Sequence, residues 1–182
     1  MKRFLSLVCV SMLVIAASAQ ITWNAKGGLG LATCYGDAEG LKSHFVGKAG
    51  VGIEKPINAN WSLMPSLELA IKGVEEDYEG DTFSYNFYYL QIPVMAAYRI
   101  NISEQWNTTL KVGPYFAYQI GNDVDGGDDI KKFDAGLDVG VDFEHGRFVC
   151  GGEIEWGLTP LVEFGNQSIK NLAFYVTVGW KF

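Results

Sequence analysis

A closed, eight-stranded, antiparallel up-and-down β-barrel crossing a membrane is the fold class this sequence predicts. Three observations carry the prediction. Apolar residues alternate at period two, turn-rich stretches recur alternately long and short, and aromatics gather at the ends of the alternating segments.

The alternation is plainest at the end of the chain. Leu172, Phe174, Val176, Val178, Trp180 and Phe182 share one face of an extended segment, with Ala173, Tyr175, Thr177, Gly179 and Lys181 on the other. Long turn-rich stretches cover 35–43, 73–86, 121–131 and 160–170; short ones cover 55–60, 101–105 and 145–146. Four long loops and three short turns join eight strands and leave both termini at the short-turn end. Outer-membrane barrels have this arrangement, with long loops outside and tight turns facing the periplasm.

The eight segments follow in order. Segment 22–34 turns Trp23, Ala25, Gly27, Leu29 and Leu31 outward and Lys26 inward, and segment 44–54 turns Phe45, Gly47, Ala49, Val51 and Ile53 outward against Lys48 and Glu54. Segment 61–72 sets Trp61, Leu63, Pro65, Leu67, Leu69 and Ile71 against Glu68 and Lys72. Segments 87–100 and 106–119 present Tyr88 to Ile100 and Trp106 to Tyr118 at even positions, with Arg99 and Lys111 inside. In 132–144, Phe133, Ala135, Leu137, Val139, Val141 and Phe143 back onto Asp134, Asp138, Asp142 and Glu144. In 147–159, Phe148, Cys150, Gly152, Ile154, Trp156 and Leu158 back onto Glu153 and Glu155. Segment 171–182 closes the ring.

Alternation alone does not say which face is outside, because a soluble barrel would put the apolar face within. The aromatics decide it. Trp23, Trp61, Tyr98, Trp106, Phe143, Phe148 and Trp180 all lie on the apolar face near the short-turn end. A looser set, Phe45, Tyr88, Tyr118, Phe133, Trp156 and Phe174, lies near the other. Two such belts suit the two boundaries of a bilayer and have no purpose in a soluble core. The charged face then lines a narrow lumen and must be paired. Lys26, Lys48, Lys72, Arg99 and Lys111 come chiefly from the first five strands, with Glu68. Asp134, Asp138, Asp142, Glu153 and Glu155 come from the next two, so basic and acidic sectors face each other. Inward Pro93 lies in mid-strand, where a local bulge is expected.

The amino end predicts export. Met1-Lys2-Arg3, an apolar run to Ala17 and the small-residue pattern Ala17-Ser18-Ala19 mark residues 1–19 as a cleaved signal peptide, leaving 20–182 as one barrel domain. Cys34 and Cys150 fall at opposite strand ends and are expected as free thiols. The net charge of −7 argues against nucleic acid as a partner.

Several stretches resemble the PorT-like small outer-membrane β-barrel family: Tyr89-Leu90-Gln91-Ile92-Pro93-Val94, Gly113-Pro114-Tyr115, the run from Asp134 to Gly140, Trp156-Gly157-Leu158-Thr159, and Val178-Gly179-Trp180-Lys181-Phe182. The resemblance implies the same fold in the outer membrane. The terminal stretch is also similar to the signal read by the barrel-assembly machinery, with Trp180 and Phe182 in its apolar places and Thr177 where glycine is preferred.

Other candidate chemistry is sparse. Asp123, Asp125 and Asp128 are weak cation candidates: an EF-hand loop wants Gly and Glu where Asp128 and Asp134 stand, so a solvated acidic loop is the plainer reading. His44 and His145 belong to opposite ends of the barrel and cannot share a site. No enzymatic activity and no cofactor are expected; the expected partners are membrane lipid and the assembly machinery, with no protein partner identified. A structural or surface-binding role with a charge-plugged lumen is therefore expected. The alternatives are a narrow pore, an outer-membrane enzyme or lipid-handling barrel, and a soluble periplasmic carrier of apolar ligands.

Overall fold

In a computed structural model of the protein, the described residues are 21–36, 41–78, 81–123, 131–160, 162–164 and 167–182. The expected leader, Asp125 and Asp128 lie outside them. The strands are β1 (Thr22–Gly36), β2 (Leu41–Lys42), β3 (His44–Pro56), β4 (Trp61–Tyr78), β5 (Asp81–Asn101), β6 (Trp106–Asn122), β7 (Phe133–His145), β8 (Phe148–Gly157), β9 (Val162–Phe164) and β10 (Gln167–Lys181). Eight of them form the wall in the order β1-β3-β4-β5-β6-β7-β8-β10. Pairing of β10 with β1, from Asn24 opposite Lys181 to Gly36 opposite Ile169, closes it. Every neighbouring pair is antiparallel, and short β2 and β9 extend the outer rim against β4 and β10. Closure leaves no free sheet edge, which a backbone in lipid cannot tolerate.

The tight turns are built from local side-chain chemistry. Asn58 Oδ1 accepts from the backbone N–H of Asn60 at 3.0 Å and of Trp61 at 2.9 Å, and Ser103 Oγ accepts from Trp106 N–H at 3.2 Å. At the third turn, Gly146 adopts φ +60°, the left-handed value that glycine supplies at the head of a two-residue hairpin. His145 does not sit in this turn, as expected, but ends β7 and stacks on Trp106 with ring centroids 4.5 Å apart.

Two further expectations change. Residues 73–78 and 81–86, expected within a loop, are strand: β4 and β5 remain paired from Gly73 opposite Asn86 to Tyr78 opposite Asp81. A tilted strand the length of β5 exceeds the ~25 Å apolar band of such barrels, so this hairpin projects beyond the membrane. Polar residues are compatible with a strand once neither face meets lipid. Pro93 causes no bulge either. Ile92 opposite Phe116, Pro93 opposite Tyr115 and Ala96 opposite Val112 keep one register, and the shift falls at Tyr88/Tyr89 instead.

Candidate functional site: an ion-paired lumen and its outer rim

The faces are distributed with water-seeking groups inside. All five tryptophans are on the outer face, between 44% and 55% exposed. Trp23, Trp61, Tyr98, Trp106, Phe143, Phe148 and Trp180 are all exposed there near the tight turns, with Trp61 and Tyr98 paired at 5.1 Å between ring centroids. Ile53 departs from its outward neighbours in being 8% exposed. Inside, the alternation brings side chains from all eight wall strands into one column of charge.

The column has three levels. Nearest the periplasm, Glu54 and Glu144 bind Lys181 at 2.8 Å each and Arg99 at 2.6 and 3.5 Å. At mid-height, Asp142 binds Lys26 at 2.6 Å and Lys111 at 3.0 Å. Glu153 reaches Lys26 at 3.4 Å and contacts both Lys111 and Lys48. Lys48 also binds Glu68 at 3.4 Å and Glu155 at 3.0 Å. Above, Lys72 bridges Glu155 at 3.0 Å and Asp134 at 3.2 Å, with its ammonium 4.1 Å from the centre of the Tyr115 ring and 5.5 Å from that of Tyr89. Gln91 donates to Glu155 at 2.8 Å; Tyr115 and Asn171 donate to Asp134 at 3.1 Å each. The neutral side chains matter because an ion pair out of water needs its remaining lone pairs and protons satisfied. Toward the outside, Tyr89, Tyr115 and Phe87 on one side and Tyr175, Ala173 and Val46 on the other pack the lumen shut.

Every charged residue expected in the lumen projects there. The expectation omitted Lys181, although its odd position beside Trp180 identifies its face, and the buried tyrosines, whose apolar rings hid their inward role. Cys34 faces in and Cys150 out, both as free thiols. Among the described residues no cluster of His, Cys, Asp and Glu has the geometry to hold a metal ion.

Asp138 stands apart. It is 2% exposed, faces Glu155 across the strand pair, and its Oδ1 has no hydrogen-bond partner; Asp142, four residues on, also has an unpartnered Oδ1, but its Oδ2 holds two lysines. Asp138→Asn is expected to leave stability unchanged or raised. Asp142→Asn is expected to lower it by about 3 kcal/mol, because two buried ammonium groups lose a partner. Urea unfolding in detergent micelles followed by tryptophan fluorescence would rank the two variants; the reverse order would contradict the pairing.

A cavity of about 30 Å³ remains beside Asp138, lined by Asn24, Ser66, Glu68, Lys111 and Glu153, with space for one or two waters. At the periplasmic end a vestibule of about 300 Å³ is floored by Glu54, Arg99, Glu144 and Lys181. The outer rim holds more than His44. Glu75, Ser84, Asn86, Tyr88 and Asp123 join it in a hydrogen-bonded cluster.

A closed eight-stranded sheet, apolar outside and ion-paired inside, defines an integral membrane barrel and excludes a soluble carrier with an apolar interior. The chain belongs to the outer membrane protein beta-barrel domain family, whose model matches residues 18–163, and it is an outer-membrane protein. Among solved structures it is similar to Neisserial surface protein A, at 12% identity with a TM-score of 0.53, covering 90% of this chain and 100% of that one. It is also similar to the attachment invasion locus protein Ail of Yersinia pestis (14%, TM-score 0.49, 90% and 100% covered). A third neighbour is the N-terminal β-barrel domain of Pseudomonas aeruginosa OprF (11%, 0.40, 88% and 97%). No curated protein matches the chain.

Proposed function

We propose that this is a non-conducting barrel whose wall anchors it in the outer membrane and whose projecting outer hairpins perform a structural or surface-binding role. The observation that carries this reading is the lumen: three levels of ion pairs beneath a layer of tyrosines fill the space a solute would need. Neisserial surface protein A, whose name makes it a surface protein, supports the surface placement of the outer loops by its fold. Residues 1–19 serve as the leader, Trp180 and Phe182 present the assembly signal, and the chain falls in the PorT-like branch of its family. In the outer cluster the Ser84 hydroxyl bonds Glu75 while the two ring nitrogens of His44 face Glu75 and Asn86, so no hydroxyl is paired with the imidazole and the reading does not include catalysis.

Reconstitution into planar bilayers tests the first half. The expected result is a silent membrane at all applied voltages; stable unitary currents would make the protein a narrow pore. Cross-linking from a photoreactive residue placed at Ser84, on the projecting hairpin, tests the second. An envelope protein or lipid captured from there and not from a position at the periplasmic turn, such as Ser103, is expected.

A further inference from the structure

Lys72, Asp134 and Glu155 meet at one nitrogen. Lys72 Nζ lies 3.2 Å from Asp134 Oδ2 and 3.0 Å from Glu155 Oε2, and none of the three residues is more than 2% exposed. Lower in the column the carboxylates are shared among lysines: Glu153 contacts Lys26, Lys48 and Lys111, and Asp142 holds Lys26 and Lys111. Asp134 is held differently. Lys72 is the cation on it, and neutral donors bind both of its oxygens, Tyr115 and Asn171 at Oδ2 and the Thr159 hydroxyl at Oδ1. Among the described lumen carboxylates it alone has that arrangement.

The setting is dry and aromatic. Tyr89, Tyr115 and Tyr175 are fully buried, and the Lys72 ammonium stands over the first two rings. Away from water an ammonium and a carboxylate lose the hydration that keeps both ionised, and an expelled water has no ready way back. An amine and a carboxyl fixed in contact also react with the advantage of a high effective concentration.

We propose that Lys72 and Asp134 close an amide bond across the lumen, with Glu155 carrying the protons. Glu155 Oε2 takes a proton from the Lys72 ammonium and passes it to Asp134 Oδ2, which leaves a neutral amine facing a carboxylic acid. Nζ then attacks Asp134 Cγ, and the Thr159 hydroxyl holds the negative charge that forms on Oδ1. A second proton moves from Nζ through Glu155 to Oδ2, the Cγ–Oδ2 bond breaks, and one water leaves. Glu155 ends ionised, as it began, with Lys48 and Gln91 still on its Oε1. One N–C bond forms, one C–O bond breaks, and no other reactant is consumed. The ion pair between Lys72 and Asp134 is the state from which the bond closes. Once closed, it ties β4 to β7, which β5 and β6 separate in the wall.

Intact-protein mass spectrometry of the barrel purified from outer membranes tests the bond. The expected mass is one water below that of the sequence. In a tryptic digest, tandem spectra are expected to join the segment running uncut through Lys72 to Arg99 with the segment 133–147. Lys72→Arg keeps a cation for both carboxylates but offers no attacking amine, and it should show the full mass. Glu155→Gln keeps both reacting groups without the proton carrier, so closure after refolding should slow by about 10²-fold or more. The heat-modifiable gel band shows that each variant has folded. Removing Lys72 abolishes ion pair and amide together, so mass, not stability, separates the two. Folded protein at its full mass, a water loss that persists in Lys72→Arg, or one that maps to other residues would each overturn the bond. Closure at an unchanged rate in Glu155→Gln would overturn the role of Glu155.

Discussion

Replacing Lys72 by Met is expected to destabilise the barrel by about 3–5 kcal/mol, the cost of leaving a buried ion pair with one partner missing. Lys72 is 1% exposed and is held by groups from four other strands: Asp134 on β7, Glu155 on β8, and the faces of Tyr89 on β5 and Tyr115 on β6. Methionine matches the length of the stem but supplies no charge. Glu155 would keep Lys48 at 3.0 Å, while Asp134 would keep only neutral donors, from Tyr115, Asn171 and the Thr159 hydroxyl at 2.8 Å. Adding Asp134→Asn to Lys72→Met should therefore recover part of the loss, since it removes the carboxylate left behind. The free energy of urea unfolding in micelles measures both variants. A loss below about 1 kcal/mol would show that the column is solvated in the native state and that its pairs behave like surface pairs.

Gly30→Ala is expected to impair closure of the barrel itself. Gly30 lies on β1 opposite Tyr175 of β10, at the seam where the two ends of the sheet meet. A methyl there would strike the Phe174 carbonyl oxygen and come within 2.8 Å of its carbonyl carbon and 2.9 Å of Tyr175 Cα. All three are backbone atoms, so the strands must separate or slip, at a cost above the ~1–3 kcal/mol of ordinary overpacking. The expected result is loss of the compact, heat-modifiable gel band after refolding. Gly27→Ala, on the same strand but facing out, is the control: its methyl would meet nothing nearer than the Lys48 carbonyl oxygen at 3.8 Å. Equal refolding of the two variants would remove close strand approach as the reason for glycine at position 30.

The faces were legible in the sequence because a strand has a period of exactly two, and the lipid-facing side of a closed sheet admits no charge. Trp61 and Glu68, or Phe133 and Asp134, needed no neighbours to be assigned to opposite sides. Where lipid stopped constraining the chain, the reading failed. The stretch 73–86 is polar and glycine-bearing, so it reads as a loop, yet the pairing of Gly73 through Tyr78 with Asp81 through Asn86 continues into solvent. Pro93 suggested a bulge, but it falls at a gap in the β4–β5 ladder between Gln91 opposite Glu68 and Val94 opposite Pro65, with the register the same on either side. The His44 cluster could not be read at all. Its members come from positions 44, 75, 84, 86, 88 and 123, and a one-residue slip brings them together, since Lys48 faces Ala70 while Lys42 faces Glu75.

Alternation and the spacing of turns by themselves determined the strand number, the inside and outside of each strand, and hence residence in a membrane, because each is a one-dimensional consequence of backbone geometry meeting lipid. Only the closed structure decided which charges meet. Lys26 and Asp142 are far apart in the chain and become partners through the tilt and curvature that bring β1 and β7 together across the lumen, which no periodicity encodes.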